Sequence, residues 1–114
     1  MSDEKTELSD LFKLTHELVC IPSESFKEKA IVDFIADKLS KAPWLNITRI
    51  GDNIVAKTAE KSEKRLLLGG HTDTVPAQGN DQIRLTEDSI WGIGSADMKG
   101  GIAIMLSLAL NVPD

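Results

Sequence analysis

The 114-residue chain is 41% hydrophobic and 27% charged, the balance of one modest globular domain, which excludes a disordered chain and a two-domain enzyme. Thirteen Lys and Arg against 18 Asp and Glu give a net charge of −5 with no basic block, so no nucleic-acid partner is expected. The longest apolar stretch, Gly101 to Val112, is shorter than the roughly 20 residues of a membrane span, and the polar start has neither region of a secretion signal, so no membrane partner and no export are expected.

In chain order, Leu8, Leu11, Phe12, Thr15, Leu18 and Val19 recur at helical spacing and predict an amphipathic helix that ends before Ile21-Pro22. Cys20, the sole cysteine, rules out an internal disulfide and a thiolate zinc knuckle. It suits a reducing compartment, with the cytoplasm as the default, and reads as a small buried hydrophobe. Ser25-Phe-Lys-Glu28 has the form of a capping box, followed by Ile31, Phe34, Ile35 and Leu39 on one helical face and a stop near Pro43. Leu45 to Ile50 and Ile54 to Thr58, split by Gly51-Asp-Asn53, predict a hairpin, and Ala59 to Lys64 a charged loop. Arg65-Leu-Leu-Leu-Gly-Gly70 is a continuous apolar run, the pattern of a strand covered on both faces in a mostly parallel sheet. A second hairpin is expected from Gln82 to Leu85 and Ser89 to Gly92, then a glycine-rich loop, then an all-round apolar and therefore buried helix from Gly101 to Leu110. The fold class is α/β.

The chemistry concentrates at His71-Thr-Asp73 and Ser95-Ala-Asp97-Met-Lys-Gly-Gly101. His71 sits at the C-terminal end of the predicted strand, the end at which open α/β sheets bind ligands. Imidazole and carboxylate are the ligands zinc takes without thiolates, and the two oxygens of one carboxylate, here Asp97, can bridge two ions. In a locally extended segment the side chains of i and i+2 share a side, which brings Asp73 to the imidazole of His71. Taken singly, each has a plainer reading: His71 as a hydrogen-bonded structural residue, Asp97 as a helix N-cap. Lys99 is open between a charge beside the site and a surface residue, and His16 reads as solvated. Trp44 and Trp91 read as packing.

Leu68-Gly-Gly-His-Thr-Asp-Thr-Val-Pro76 and Trp91-Gly-Ile-Gly-Ser-Ala-Asp-Met-Lys-Gly-Gly101, in this order, resemble the co-catalytic zinc amidohydrolases and exopeptidases, a family that includes aminoacylases, carboxypeptidases and deacetylases. Within it, Ile21-Pro-Ser-Glu-Ser25 and the stretch from His71 to Asn80 look most like the actinobacterial branch that desuccinylates N-succinyl-diaminopimelate. The resemblance implies a three-layer α/β/α zinc-exopeptidase domain, with His71 ligating one zinc, Asp97 bridging two, and Asp73 steadying His71 as an active-site residue. It implies a cis peptide bond after Asp97, and cobalt as a possible substitute metal. The reaction it implies is hydrolysis of an amide beside a carboxylate, on a small acylated amino acid, by a homodimer.

The chain also departs from that pattern. The family's downstream Glu-Glu pair, further acidic ligand, C-terminal histidine and dimerisation domain have no counterpart here: after Asp97 the only acidic residue is Asp114. The expectation is that residues 1–114 are the N-terminal portion of a larger catalytic domain, inactive alone, with uncovered sides on the Leu66 to Leu68 strand and on the last helix. Two alternatives stand beside it: another deacylase, carboxypeptidase or dipeptidase of the family, and a non-catalytic binding module.

Overall fold

The computed structural model describes residues 2–59, 63–79 and 82–111, with side chains from Asp10 onward. Three helices, α1 (Ser2–Val19), α2 (Lys29–Ser40) and α3 (Gly100–Leu110), combine with two hairpins, β1 (Leu45–Ile50) with β2 (Asn53–Thr58) and β3 (Arg84–Leu85) with β4 (Ile90–Trp91). An irregular helical turn, Ser95–Lys99, leads into α3.

The core forms where apolar periodicity faces inward from all three helices. Leu18 of α1, Ile31, Val32, Ile35 and Leu39 of α2, and Ile102, Ala103 and Leu106 of α3 form one buried cluster, against which Leu45, Ile47 and Ile54 of the first hairpin pack. Burial of each leucine, isoleucine or valine among them contributes about 1.5–3 kcal/mol, so this cluster is what holds the helices together. Trp44 fastens the far end of α3 by donating its indole N–H to the Ala109 carbonyl at 2.8 Å.

Several expectations are met. Helix α1 stops at Val19, α2 stops before Pro43, and the first hairpin pairs Leu45 with Thr58 through Ile50 with Asn53. The second hairpin forms with two residues on each side, shorter than expected. The charged loop falls partly on residues 60–62, outside the described residues.

Four expectations are corrected. The capping box does not form: α2 begins at Lys29 with Glu28 at its N-cap and no side-chain cap, because Ser25 is engaged elsewhere and Glu28 Oε1 accepts from the Phe26 N–H at 2.9 Å. The apolar run 65–70 is in no strand; Leu66 and Leu67 are 84% and 86% exposed, since none of the described strands pairs with it or covers it. Helix α3 is not buried all round. Ile104 and Leu108, one turn apart, lie exposed on its outer side, the uncovered face anticipated for it. Cys20 is exposed, because the chain leaves α1 just before it, and its Sγ lies 3.6 Å from Nε2 of His16 one turn earlier.

The strands thus form two separate antiparallel pairs and one isolated parallel bridge, between Glu24 and Thr74. That bridge matters more than its size suggests, because it fixes the segment carrying His71 and Asp73. No helix among the described residues is long and apolar enough to cross a membrane.

Candidate metal centre

The segment 71–74 is held by the loop that follows α1. The Thr74 N–H donates to the Ser23 carbonyl at 2.9 Å, and the Ser25 N–H donates to the Thr74 carbonyl at 3.2 Å. The hydroxyl of Ser23, fully buried, donates to the Thr72 carbonyl at 2.7 Å. Backbone pairing over these few residues keeps 71–74 extended, which places His71 and Asp73 on one side as the i, i+2 rule requires.

The turn that carries Asp97 approaches from the other direction. Gly94 opens it in the left-handed region at φ +83°, and a Cβ there would lie 2.6 Å from Cγ2 of Thr74, so only glycine lets the two loops come this close. The Lys99 N–H closes the turn on the Gly94 carbonyl at 2.8 Å. The Asp97-Met98 peptide is cis, as the resemblance implied. Lys99 settles as a buried residue, its Nζ donating to the Ile21 carbonyl at 2.7 Å and so tying this turn to the end of α1. Burial pushes its pKa down, and nearby Cys20 acts in the opposite sense. Asp97 is not a helix cap, since Lys99 occupies the N-cap of α3.

Together the two loops bring all three sequence-predicted site residues into contact. Nε2 of His71 lies 3.0 Å from Oδ1 of Asp97, and Nδ1 lies 3.1 Å from Oδ1 of Asp73 and 3.1 Å from the Asp73 backbone carbonyl. Sδ of Met98 accepts the His71 backbone N–H at 3.3 Å. Oδ2 of Asp73 accepts from the Ser25 hydroxyl at 2.5 Å.

The electrostatics follow from this arrangement. Desolvation works against a charged imidazole at His71, but the Asp73 carbonyl and the Asp97 carboxylate outweigh it, and the pKa rises above the ordinary histidine value. The Ser25 hydrogen bond, ahead of the His71 charge, holds the Asp73 carboxyl below the usual carboxylate range. Both acceptors of Asp73 lie on the Nδ1 side, and Nε2 is the nitrogen that faces Asp97. In a metal-free site a proton on Nε2 relieves the repulsion between its lone pair and the carboxylate.

The donor set fits a divalent ion. Zinc bonds to imidazole nitrogen and carboxylate oxygen at about 2.0–2.2 Å, so a nitrogen and an oxygen 3.0 Å apart can reach the same ion. The Asp97 side chain is 87% exposed, which leaves it open to a second ion or to further ligands. No three His, Cys, Asp or Glu side chains among the described residues converge on one metal position. A closed site needs about four ligands, so these residues supply part of one.

Ser25 is the contributor the sequence misled on. Read as a helix cap, it instead binds Asp73, and the signal for this is the alternation of Ser23 and Ser25, which suits an extended segment that pairs with another.

Sequence comparison places the site in a wider setting. The profile of peptidase family M20/M25/M40 matches residues 67–114, the stretch that holds His71, Asp73 and Asp97. The succinyl-diaminopimelate desuccinylase of Corynebacterium glutamicum is 40% identical over 101 residues, 87% of this chain and 27% of that protein. A Mycobacterium tuberculosis protein provisionally given the same name is 42% identical over 92% of this chain and 30% of its own length. The desuccinylase of Methylorubrum populi is 31% identical over 89% of this chain and 30% of that protein. The chain therefore spans less than a third of the length of these relatives.

Proposed function

We propose that this chain belongs to peptidase family M20/M25/M40 and forms the N-terminal portion of the catalytic domain of a zinc-dependent amidohydrolase. The substrate we propose is N-succinyl-LL-2,6-diaminopimelate, cleaved to succinate and LL-2,6-diaminopimelate. The observation that carries the reading is the single cluster of His71, Asp73 and Asp97, with Nε2 of His71 and Oδ1 of Asp97 3.0 Å apart. The identities to named desuccinylases over most of the chain support the substrate class.

In this reading His71, through Nε2, and Asp97 would hold the metal, and Asp73 would hold the Nδ1 proton so that the lone pair of Nε2 is free for it. When bound, the metal supplies Lewis acidity, lowering the pKa of water and stabilising the charge that develops on the amide oxygen. Asp97, with two carboxylate oxygens, would supply the ligand that a second ion could share. Lys99, through its bond to Ile21, holds the Asp97 turn against α1. None of the residues named here is placed to take a proton from water, and the general base, the remaining ligands and the dimer contacts are proposed to come from further residues of the complete protein. The complete domain is proposed to be the three-layer arrangement with a mostly parallel sheet, in which 65–70 gains strand partners, and to work in the cytoplasm.

The test is hydrolysis of N-succinyl-LL-2,6-diaminopimelate by the complete gene product, compared with N-acetylornithine and N-acylated amino acids, and by the 114-residue chain alone. The expected result is turnover by the complete product with preference for the succinylated substrate, and none by the short chain. Preference for another acyl group contradicts the substrate. Turnover by the short chain that vanishes in His71→Ala contradicts its incompetence.

A further inference from the structure

We propose that Ser25 is a positioning residue of this centre: by holding one oxygen of Asp73 it presents the other to Nδ1 of His71, and so aims Nε2 at the point it shares with Asp97. The inference deepens the metal-site reading and rests on it for its consequence, though its geometry does not.

A carboxylate turns easily about its last bond, because that torsion is broad and roughly two-fold. One hydrogen bond from an imidazole therefore fixes little. Asp73 has two: Oδ2 accepts from the Ser25 hydroxyl at 2.5 Å, while Oδ1 lies 3.1 Å from Nδ1 of His71. The two oxygens are divided between two partners on different segments, which leaves the carboxylate one orientation. Ser25 is itself fixed, since its N–H donates to the Thr74 carbonyl one residue beyond Asp73, at 3.2 Å.

The chain also turns away directly after it. Phe26 stands in the left-handed region at φ +72° and is 97% exposed, so no apolar burial accounts for its conformation. Its N–H is taken by Oε1 of Glu28, and the Lys27 N–H reaches back to the Glu24 carbonyl at 2.8 Å. The turn ends the pairing at Ser25, with the hydroxyl left facing Asp73. Two residues earlier, Ser23 donates its hydroxyl to a backbone group, the Thr72 carbonyl, and not to Asp73. Ser23 holds the segment, whereas Ser25 orients the carboxylate. That pair of serines separates a structural role from a positioning one.

The experiment uses Ser25→Ala, Ser25→Thr, Ser23→Ala, Asp73→Ala and the double variant Ser25→Ala/Asp73→Ala. Each is titrated calorimetrically with zinc alone, its fold checked by circular dichroism, and its zinc-free His71 tautomer read by 15N NMR. Partners that orient a ligating histidine typically carry 10–100-fold in metal affinity, and Ser25 stands one bond further out, so Ser25→Ala is expected to weaken zinc about tenfold. Ser25→Thr, which keeps a hydroxyl, restores the affinity. Ser23→Ala lowers the unfolding midpoint without that loss. On the Asp73→Ala background, removing Ser25 has no further effect. Without zinc, the neutral imidazole carries its proton on Nδ1 in the wild type and the threonine variant, and loses that preference in Ser25→Ala. Wild-type affinity and tautomer in Ser25→Ala overturn the proposal, as does an equal loss with Asp73 already removed. If the wild type binds no zinc, the metal reading fails, and the tautomer alone decides the role of Ser25.

Discussion

The helical core and the segment 63–76 both carry large apolar side chains, yet one buries them and the other does not. Leu18, Ile31 and Ala103 are completely enclosed, whereas Leu66, Leu67 and Val75 are 84%, 86% and 71% exposed. The helices bring their own partners, since every third or fourth residue faces another helix and each backbone bond closes within four residues. A strand closes none of its bonds locally and depends on neighbours along both edges. In this chain Leu66 to Leu68 lie in none of the described strands, and the site end of the segment is held by the short pairing of 71–74 with the Ser23 loop and by the contacts of His71 with Met98 and Asp97. The site therefore sits on the boundary between a self-sufficient half and a dependent one.

That contrast can be broken most forcefully in the core. Leu18→Ala or Ile31→Ala is expected to cost about 2–5 kcal/mol, read as a shift in the urea midpoint, because each leaves a cavity among α1, α2 and α3. A smaller loss is expected where the two halves meet. Gly94→Ala forces a Cβ into the left-handed region, at about 1–2 kcal/mol, and 2.6 Å from Thr74, so both the melting temperature and zinc binding should fall.

The next effect is one of pH. The raised pKa of His71 means that its folded-state contacts favour the charged imidazole, which desolvation penalises but which gains more from Asp73 and Asp97. This contribution is complete below the unfolded value of about 6.5 and is lost as pH rises through the raised folded value. Zinc-free protein should therefore lose stability across that window relative to His71→Asn. Zinc affinity should rise over the same range, because the metal takes only the neutral ring. The smallest effect is expected in the dependent half: Leu67→Ser should change stability by no more than about 0.5 kcal/mol, since the leucine side chain is already in water.

What the sequence disclosed divides along the same line. Helices α1, α2 and α3 and the first hairpin were legible because their periodicity, Pro43 and Gly51-Asp-Asn53 act over a few residues. The convergence of His71, Asp73 and Asp97 was legible from two motifs, though spacing alone does not state that Asp97 would face Nε2 and Asp73 would face Nδ1. Ser25 was misassigned because a capping box and an extended Ser-x-Ser look alike until the partner segment, nearly fifty residues on, is known. The burial of Lys99 depends likewise on the Ile21 carbonyl, 78 residues earlier. The exposure of Ile104 and Leu108 depends on what packs outside α3, which an all-apolar helix does not reveal.

The central claim is that His71 and Asp97 share a metal ion. The most direct measurement is a calorimetric zinc titration of the 114-residue chain, repeated with His71→Ala and Asp97→Ala. One weak site that either substitution abolishes is the expected result, because two protein ligands on one ion make an incomplete centre. Binding that survives both substitutions, or two tight sites in the wild type, would contradict it.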